Sequence, residues 1–554
     1  MTRYQTTTAR PAPTVRAGTA GLVAVGISVA CTFAVAVAGP SVMEPELPGH
    51  GGQPPWSLGL HPSPYLAIGL TAAGLAAGVL GLVLALRAVR RGWAVPARVI
   101  LAGGLLAAVA LTLVPPFGSS DHLSYAAYGR MLVTGHNPYT TTPAQLAALG
   151  DPVARAVQDW RQAPSVYGPL ATAIQALASL AGGTSVRLTV FVLGLANLAA
   201  FAAVALLLHR MTRHDPGRQL RAALLWAANP LLLQVLVAGA HVDGQAVAFG
   251  VAAVAVMSPM ARPVTHPLAR AGTAGVLVGL GFAVKVTIAL TGLGLALALG
   301  YRWWRSRGPG RELWPPLAAL AAGFAVTAGA ALAIGGSAML RQTSQASDMV
   351  SIGSPWRVVR SAIHLAVTGT AATDLVKAGA VVLAVLLAVL LIRGLAGAGP
   401  GYGPRASAGP GRDVDPGRDA DPGRYATIAF ALALAWLFAW PYVLPWYDAL
   451  GWALLPLAAG GAAGGAAEGL GWLLLARTAA LGFGYLPARQ ADAPIPPGLG
   501  WLQPVIRHGA TPAILAVATV WLVVLMLRSR RAMRPEAPGA GGPADPRATA
   551  AKAA

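Results

Sequence analysis

The sequence predicts an all-α, polytopic transmembrane helical bundle, of about 12–14 membrane segments with a large first outer loop. Three observations lead there. Of 554 residues, 55% are hydrophobic and 11% charged, with a mean hydropathy of +0.60, whereas soluble domains carry about 25% charged residues. The apolar residues form runs of about 17–25 without alternation, the length of a helical crossing rather than of a barrel strand. Basic residues cluster between the runs, as the cytoplasmic loops of membrane proteins do. The formal net charge of +21 then reflects topology and attraction to anionic membrane lipids. Nucleic acid is not an expected partner, because the arginines lie in short clusters between apolar runs. The single cysteine, Cys31, can form no internal disulfide.

Residues 1–19 are polar and basic and read as a cytoplasmic tail. The run 20–38 is longer than a signal-peptide core and no clear cleavage site follows, so it reads as a retained helix. Further runs lie near 65–86, 97–116, 186–208, 219–238 and 244–260. The run 271–300 is too long for one ordinary crossing and holds Lys285 at its middle. It reads as a broken hairpin with Lys285 at the tip. Runs near 313–335, 373–393, 425–441, 443–460, 469–486 and 511–528 complete the set. The clusters Arg87–Arg91, Arg210–Arg221, Arg302–Arg311 and Arg528–Arg534 are expected in the cytoplasm. Alternation then puts 39–64, 117–185, 239–243, 336–372 and 487–510 outside. Residues 169–183 are apolar but short, as a helix at the outer interface would be. The repeat GPGRDVDPGRDADPGR within 395–424 reads as a disordered cytoplasmic linker, and 529–554 as a disordered tail. The expected organisation is one transmembrane domain, 20–528.

The outer segment 117–185 is where chemistry is expected. Asp121 follows an apolar run and starts a helical pattern that includes Tyr125 and Arg130. A helix N-terminus keeps a carboxylate ionised, and an ionised carboxylate can take a proton from an attacking hydroxyl. A solvated cap is the plain alternative. Asn137-Pro138-Tyr139 and Tyr167-Gly168-Pro169 are turn signals with aromatic residues attached, and Trp160 lies between them. They read equally as loop punctuation or as a sugar site, since an aromatic ring offers a face for sugar C–H groups. His241 and Asp243 occupy the tight turn GAHVDG, where substrate hydrogen bonding is favoured over a metal because no further ligand spacing accompanies them. Lys285 is read as a phosphate contact at headgroup level, or as half of a salt bridge; Arg341 and Arg357 are weaker candidates for the same task. Trp446 lies in WPYVLPWY at 440–447, which fits an interfacial aromatic belt or the wall of a lipid or sugar site.

Five pieces occur in order: DHLSYAAYGRMLVTGHNPY at 121–139, WRQAPSVYGPL at 160–170, GAHVDG at 239–244, AVKVTIAL at 283–290 and WPYVLPWY at 440–447. Together they resemble the actinobacterial polyprenyl-phosphomannose-dependent α-1,6-mannosyltransferases, integral membrane enzymes of the GT-C class. The resemblance covers about residues 20–528 and implies a GT-C-like fold, with Asp121 matching the family's catalytic acidic residue. It implies a plasma-membrane enzyme acting on the extracytoplasmic face. Its donor is mannose on a polyprenyl phosphate, and its acceptor is a mannoside or lipid-linked glycan. Relatives tend to have His-Asn-Asp where this chain has His241-Val242-Asp243, which bears on acceptor contacts, and Asp121-His122 is not an acid pair.

The expectation is therefore inverting transfer to an α-1,6 linkage, with Asp121 as general base and Lys285, helped by an outer-loop arginine, on the leaving phosphate. No cofactor or obligatory metal is expected. Alternatives are transfer of another polyprenyl-phosphate sugar, a lipid or sugar transporter such as a flippase, and a non-catalytic envelope scaffold. The transporter is disfavoured by the long loop 117–185.

Overall fold

The computed structural model describes residues 13–258, 266–305, 314–367, 369–396, 423–458, 464–490 and 495–532. Apart from residues at their edges, the linker expected at 395–424 and the tail expected at 529–554 lie outside the described residues. Among the described residues eight helices are long and apolar enough to cross a membrane, and shorter apolar helices stand beside them. The chain is an all-α bundle, as its composition requires of a backbone that must satisfy itself in lipid.

The first helix, Pro13–Ala38, starts inside the segment expected as a tail and packs along Pro64–Arg90. Small residues set this contact. A Cβ on Gly21 would lie 2.7 Å from the Ala85 backbone nitrogen, and one on Gly81 2.8 Å from that of Val25. Close backbone approach between membrane helices needs such residues.

Two apolar runs and one expected loop depart from the expectation. The run 219–238 breaks after Leu225 and restarts at Pro230, then widens into a π-helix, Leu233–Ala238. Pro230 has no amide to donate, and the Asn229 side chain caps the new start by accepting from the amides of Leu231 and Leu232. The run 313–335 continues as Trp314–Ser347 across a kink at Gly336 (φ 64°), so part of the loop expected at 336–372 is helical. Only glycine adopts that backbone freely. The loop 487–510 likewise contains a π-helix, Gln503–Ala510, leading into Thr511–Ala532.

The break at Lys285 is as expected. Pro267–Val284 ends there, Lys285 is extended (φ −150°, ψ 125°), and a single 3₁₀ turn, Val286–Ile288, leads into Ala289–Arg305. The β-branched cluster Val284, Val286, Thr287 and Ile288 disfavours an uninterrupted helix. The interruption is secured from outside, because Gly168 donates its amide to the carbonyl of Val284. A Cβ on Gly168 would lie 2.2 Å from the Ala283 carbonyl oxygen. Gly168→Ala is expected to push the Tyr167 turn off the Lys285 break, lowering both thermal stability in detergent and donor binding. A wild-type melting temperature and donor Kd in that variant would show the contact to be incidental.

The segment expected as an outer loop is a small helical layer: Asp121–Val133, Pro143–Ala148, Pro152–Arg155 and Pro169–Gly182. It packs tightly, for a Cβ on Gly129 would lie 2.1 Å from the Gln175 carbonyl oxygen. The aromatic turn follows the buried helix Gly423–Ala439. Behind it the buried Asp448 accepts a hydrogen bond from Thr478 at 2.6 Å and faces the Arg477 guanidinium at 3.3 Å, while the Trp452 indole donates to Thr478 at 3.0 Å.

Candidate active site

The position of Asp121 follows from the chain just before it. Helix Ala97–Thr112 stops ahead of Pro115-Pro116. Phe117 then donates its amide to the carbonyl of Ala238, and Gly118 donates to that of Met43. Gly118 has φ 79°, which turns the chain so that Asp121 begins the next helix. The tie to Ala238 also brings Asp121 beside the His241 turn. That turn is tight: Ala240 has φ 53°, and His241 donates its amide to the Leu236 carbonyl.

Asp121 borders two cavities. The first, about 420 Å³, is lined by Tyr125, Tyr128, Trp160, Tyr167 and Lys285, and across from them by Trp436, Trp440, Tyr442, Trp446 and Tyr447. The second, about 450 Å³, is lined by Ser119, Ser120, Asp159, Trp160, Tyr485, Arg489, Gln490 and Arg507. Asp121, Trp160, Tyr442 and Trp446 line both.

The Asp121 carboxylate accepts from the Trp160 indole at 3.2 Å through Oδ1, and its Oδ2 lies 3.6 Å from His241 Nε2. Trp160 holds this position with φ 60°, a strained backbone for a bulky residue. Burial alone raises the Asp121 carboxyl, but the contact with His241 and the indole donor outweigh it and hold the group below its ordinary value. The group is therefore a carboxylate at neutral pH. His122, fully buried beside it, is pushed down to about 3 by burial, helped by Arg489 and His241 and opposed by Asp121, and so stays neutral.

The other expected residues divide into two groups. Tyr125, Trp160, Tyr167, Lys285 and Trp446 do line the first cavity. The Tyr125 and Tyr167 rings meet edge to face, with hydroxyls 3.2 Å apart. Lys285 donates to Asp243 at 2.7 Å and lies 3.9 Å from the centre of the Tyr447 ring. Lys285 is thus half of a salt bridge, the second of its two expected readings, and it also forms part of the cavity wall.

The rest are placed elsewhere. Asp243 is buried against Lys285 and does not line either large cavity. His241 is 1% exposed, stacked on Trp446 at 3.6 Å, and reaches Asp121 rather than open space. Arg130 is drawn away by Asp151, at 2.7 Å. Asn137 closes its own turn by accepting from the Tyr139 amide, and Tyr139 packs against Ala338 and Met339 with its hydroxyl on Thr172. Arg341 is bonded back to Ser337 and exposed, although its neighbours Gln342 and Thr343 line the first cavity. Expectation had given each of these a substrate contact; Arg130, Asn137, Tyr139 and Arg341 are instead bonded within the protein.

The second cavity was not foreseen. Asp159 accepts from Ser120 and from Gln490 at 3.1 Å, with Arg489 at 3.8 Å. Arg489 also donates to Gln158. Glu44 is raised to about 9 by burial, against the opposing pull of Arg187 and Arg489, and is therefore neutral at pH 7. Asp159 is the carboxylate nearest Arg489 in this cavity. Arg489-Gln490 is a polar pair between apolar runs, the same signal that singled out His241 and Asp243. Among the described residues no three His, Cys, Asp or Glu side chains come together as metal ligands would.

Residues 23–301 match the family described as alpha-(1→6)-mannopyranosyltransferase, N-terminal domain. A protein of Mycolicibacterium smegmatis described as "Probable alpha-(1->6)-mannopyranosyltransferase" is 29% identical over 36% of this chain and 39% of its own length. An alpha-(1→6)-mannopyranosyltransferase of Mycobacterium tuberculosis is 33% identical over 24% of this chain and 22% of its own. Alpha-(1→6)-mannopyranosyltransferase B of Corynebacterium glutamicum is 30% identical over the same shares. The chain thus aligns with less than half the length of each of these curated relatives. No solved structure matches it significantly.

Proposed function

The chain belongs to the alpha-(1→6)-mannopyranosyltransferase family, and on that premise we propose that it moves mannose from a polyprenyl-phosphate-mannose donor to a hydroxyl of a mannoside or lipid-linked glycan. The product is an α-1,6 linkage formed by inversion on the outer face of the plasma membrane, with Asp121 as general base.

The observation that carries this reading is the place of Asp121 between two cavities. A group-transfer enzyme must bring two substrates to one reacting point, and a base at their boundary can reach a hydroxyl from one side while the sugar enters from the other. The first cavity suits the donor. Its aromatic wall accommodates a sugar face and the start of an isoprenoid chain. Lys285 still has ammonium protons beyond the one given to Asp243, and these meet the leaving phosphate, where negative charge develops. The second cavity suits a polyhydroxylated acceptor, because Asp159, Gln490 and Arg489 offer both acceptors and donors.

Purified protein given polyprenyl-phosphate-mannose and a mannoside should produce an α-1,6-linked product, and the corresponding glucosyl and pentosyl donors should be used far less. Transfer of none of these sugars would remove the enzyme reading. Orientation has its own test. In a Cys31-free background, a cysteine placed at Thr141 should react with impermeant reagent added from outside. Labelling by permeant reagent alone would invert the arrangement.

A further inference from the structure

We propose that His241 is the resting place of the proton that Asp121 removes, so that the two residues act as a relay rather than Asp121 acting alone. This rests on Asp121 being the base. It adds a positioning and proton-holding role for a side chain that touches neither large cavity.

The inference starts from hydrogen-bond chemistry. His241 Nδ1 lies 2.5 Å from the carbonyl oxygen of Val235. A carbonyl only accepts, so Nδ1 must carry a hydrogen. In the neutral ring Nε2 is then a bare lone pair, and it has no hydrogen-bond partner. What it faces, at 3.6 Å, is Oδ2 of Asp121. A lone pair aimed at a carboxylate in a buried turn is an arrangement short of one proton. Adding a proton to the pair turns that face into a charge-assisted contact.

The ring is held from several sides. The imidazole lies flat on the Trp446 indole, with centroids 3.6 Å apart and planes 17° from parallel, and an aromatic face attracts a cation. The Val235 carbonyl and the Asp121 carboxylate lie at its two nitrogens. The geometry is held tightly, since a Cβ on Gly239 would lie 2.6 Å from Nδ1 and 2.4 Å from the Val235 oxygen. Oδ1 of Asp121 is already occupied by the Trp160 indole.

The step balances without another reactant. The acceptor hydroxyl oxygen bonds to the anomeric carbon as the bond from that carbon to the phosphate oxygen breaks. The phosphate leaves with the electron pair. The hydroxyl proton passes to Asp121 and on to Nε2 of His241, and later leaves to water.

Other ionisable groups around the pair do not compete for this proton. His122 is held neutral by burial. Tyr125, Tyr167 and Tyr442 are raised by burial, with Asp121 adding to the rise, and stay protonated. Lys285 and Asp243 neutralise each other, and Arg489 is paired with Asp159.

The test uses the full-length protein with polyprenyl-phosphate-mannose and a mannoside, measuring kcat/KM against pH. In the wild type, activity should fall on acidification, as protons from solvent fill the relay before the reaction supplies one. His241→Phe keeps a ring on Trp446, and His241→Gln keeps a donor for Val235; neither takes up a proton. Both should lose about 10²-fold at neutral pH, the low end of a general base's contribution. In both, the acid limb should move to lower pH. In ¹⁵N spectra of histidine-labelled protein, His241 should carry its hydrogen on Nδ1 at neutral pH, and its titration should shift in Asp121→Asn. Uniform loss with an unmoved acid limb would make His241 merely structural, and so would an Nε2–H tautomer. Full activity in both His241 variants beside an inactive Asp121→Asn would overturn the relay and leave the base in place. An active Asp121→Asn would instead remove the reading on which the relay depends.

Discussion

Asp121→Asn should lower sugar transfer by at least about 10²–10⁴-fold, the range a general base contributes, while leaving the protein folded and able to bind donor. The amide is nearly isosteric. Its oxygen can still accept from the Trp160 indole, which donates at 3.2 Å in the native protein, and its nitrogen can give a hydrogen to the His241 Nε2 lone pair. Local packing is therefore expected to hold or even tighten, and only the capacity to take a proton disappears. Asp121→Glu should also be poor, since displacing the oxygen by about an ångström can cost on the order of 10²-fold. The natural comparison is Asp151→Asn. Asp151 caps the helix Pro152–Arg155 and pairs with Arg130, so its loss should lower the melting temperature more than the turnover. Asp159 is no neutral control, because it lines the second cavity; Asp159→Asn should raise the acceptor KM. Wild-type turnover in Asp121→Asn would mean that the base lies elsewhere.

Lys285→Ala should be the more damaging change to the molecule as a whole, because it does two things. It removes the cation from the first cavity, and it leaves Asp243 buried without its partner at 2.7 Å. Breaking one side of a buried ion pair costs about 3–5 kcal/mol, enough to lower expression and melting temperature. A loss of transfer in this variant alone would therefore be ambiguous. The double variant Lys285→Met with Asp243→Asn separates the two effects, since no unpaired charge remains. It should regain most of the stability and none of the donor use. Lys285→Arg should keep part of both. If the double variant bound and turned over polyprenyl-phosphate-mannose like the wild type, Lys285 would be a structural residue and the phosphate would need another cation.

What could be read from the sequence was whatever depends on local composition. The long apolar helices follow from run length. The break at Lys285 followed from a double-length run with a cation at its centre. Asp121 could be picked out because a carboxylate just past an apolar run is costly without a use. Pairing choices were less legible. Arg130 carries the same charge whether it faces a substrate or Asp151, and only the fold brings Asp151 to 2.7 Å. The second cavity joins Asp159 to Gln490, 331 residues apart, and no local pattern encodes that meeting. The kink at Gly336 and the restart at Pro230 did carry local signals, a Gly335-Gly336 pair in a helical run and an Asn-Pro step. There the apolar run was given more weight than the punctuation inside it.

Asp448 stands immediately behind Trp446 and Tyr447 and is clasped by Thr478 and Arg477. A buried ion pair of this kind adds little net stability, yet it fixes one arrangement, since any shift would strand a charge. The turn is therefore anchored from its back, and the rings in front bear little of the framing. Trp440 and Tyr442 face the first cavity without belonging to that clasp. Exchange of these two rings alters what the cavity admits while the mount stays where it is. The part that sets position and the part that shapes the cavity are thus different residues.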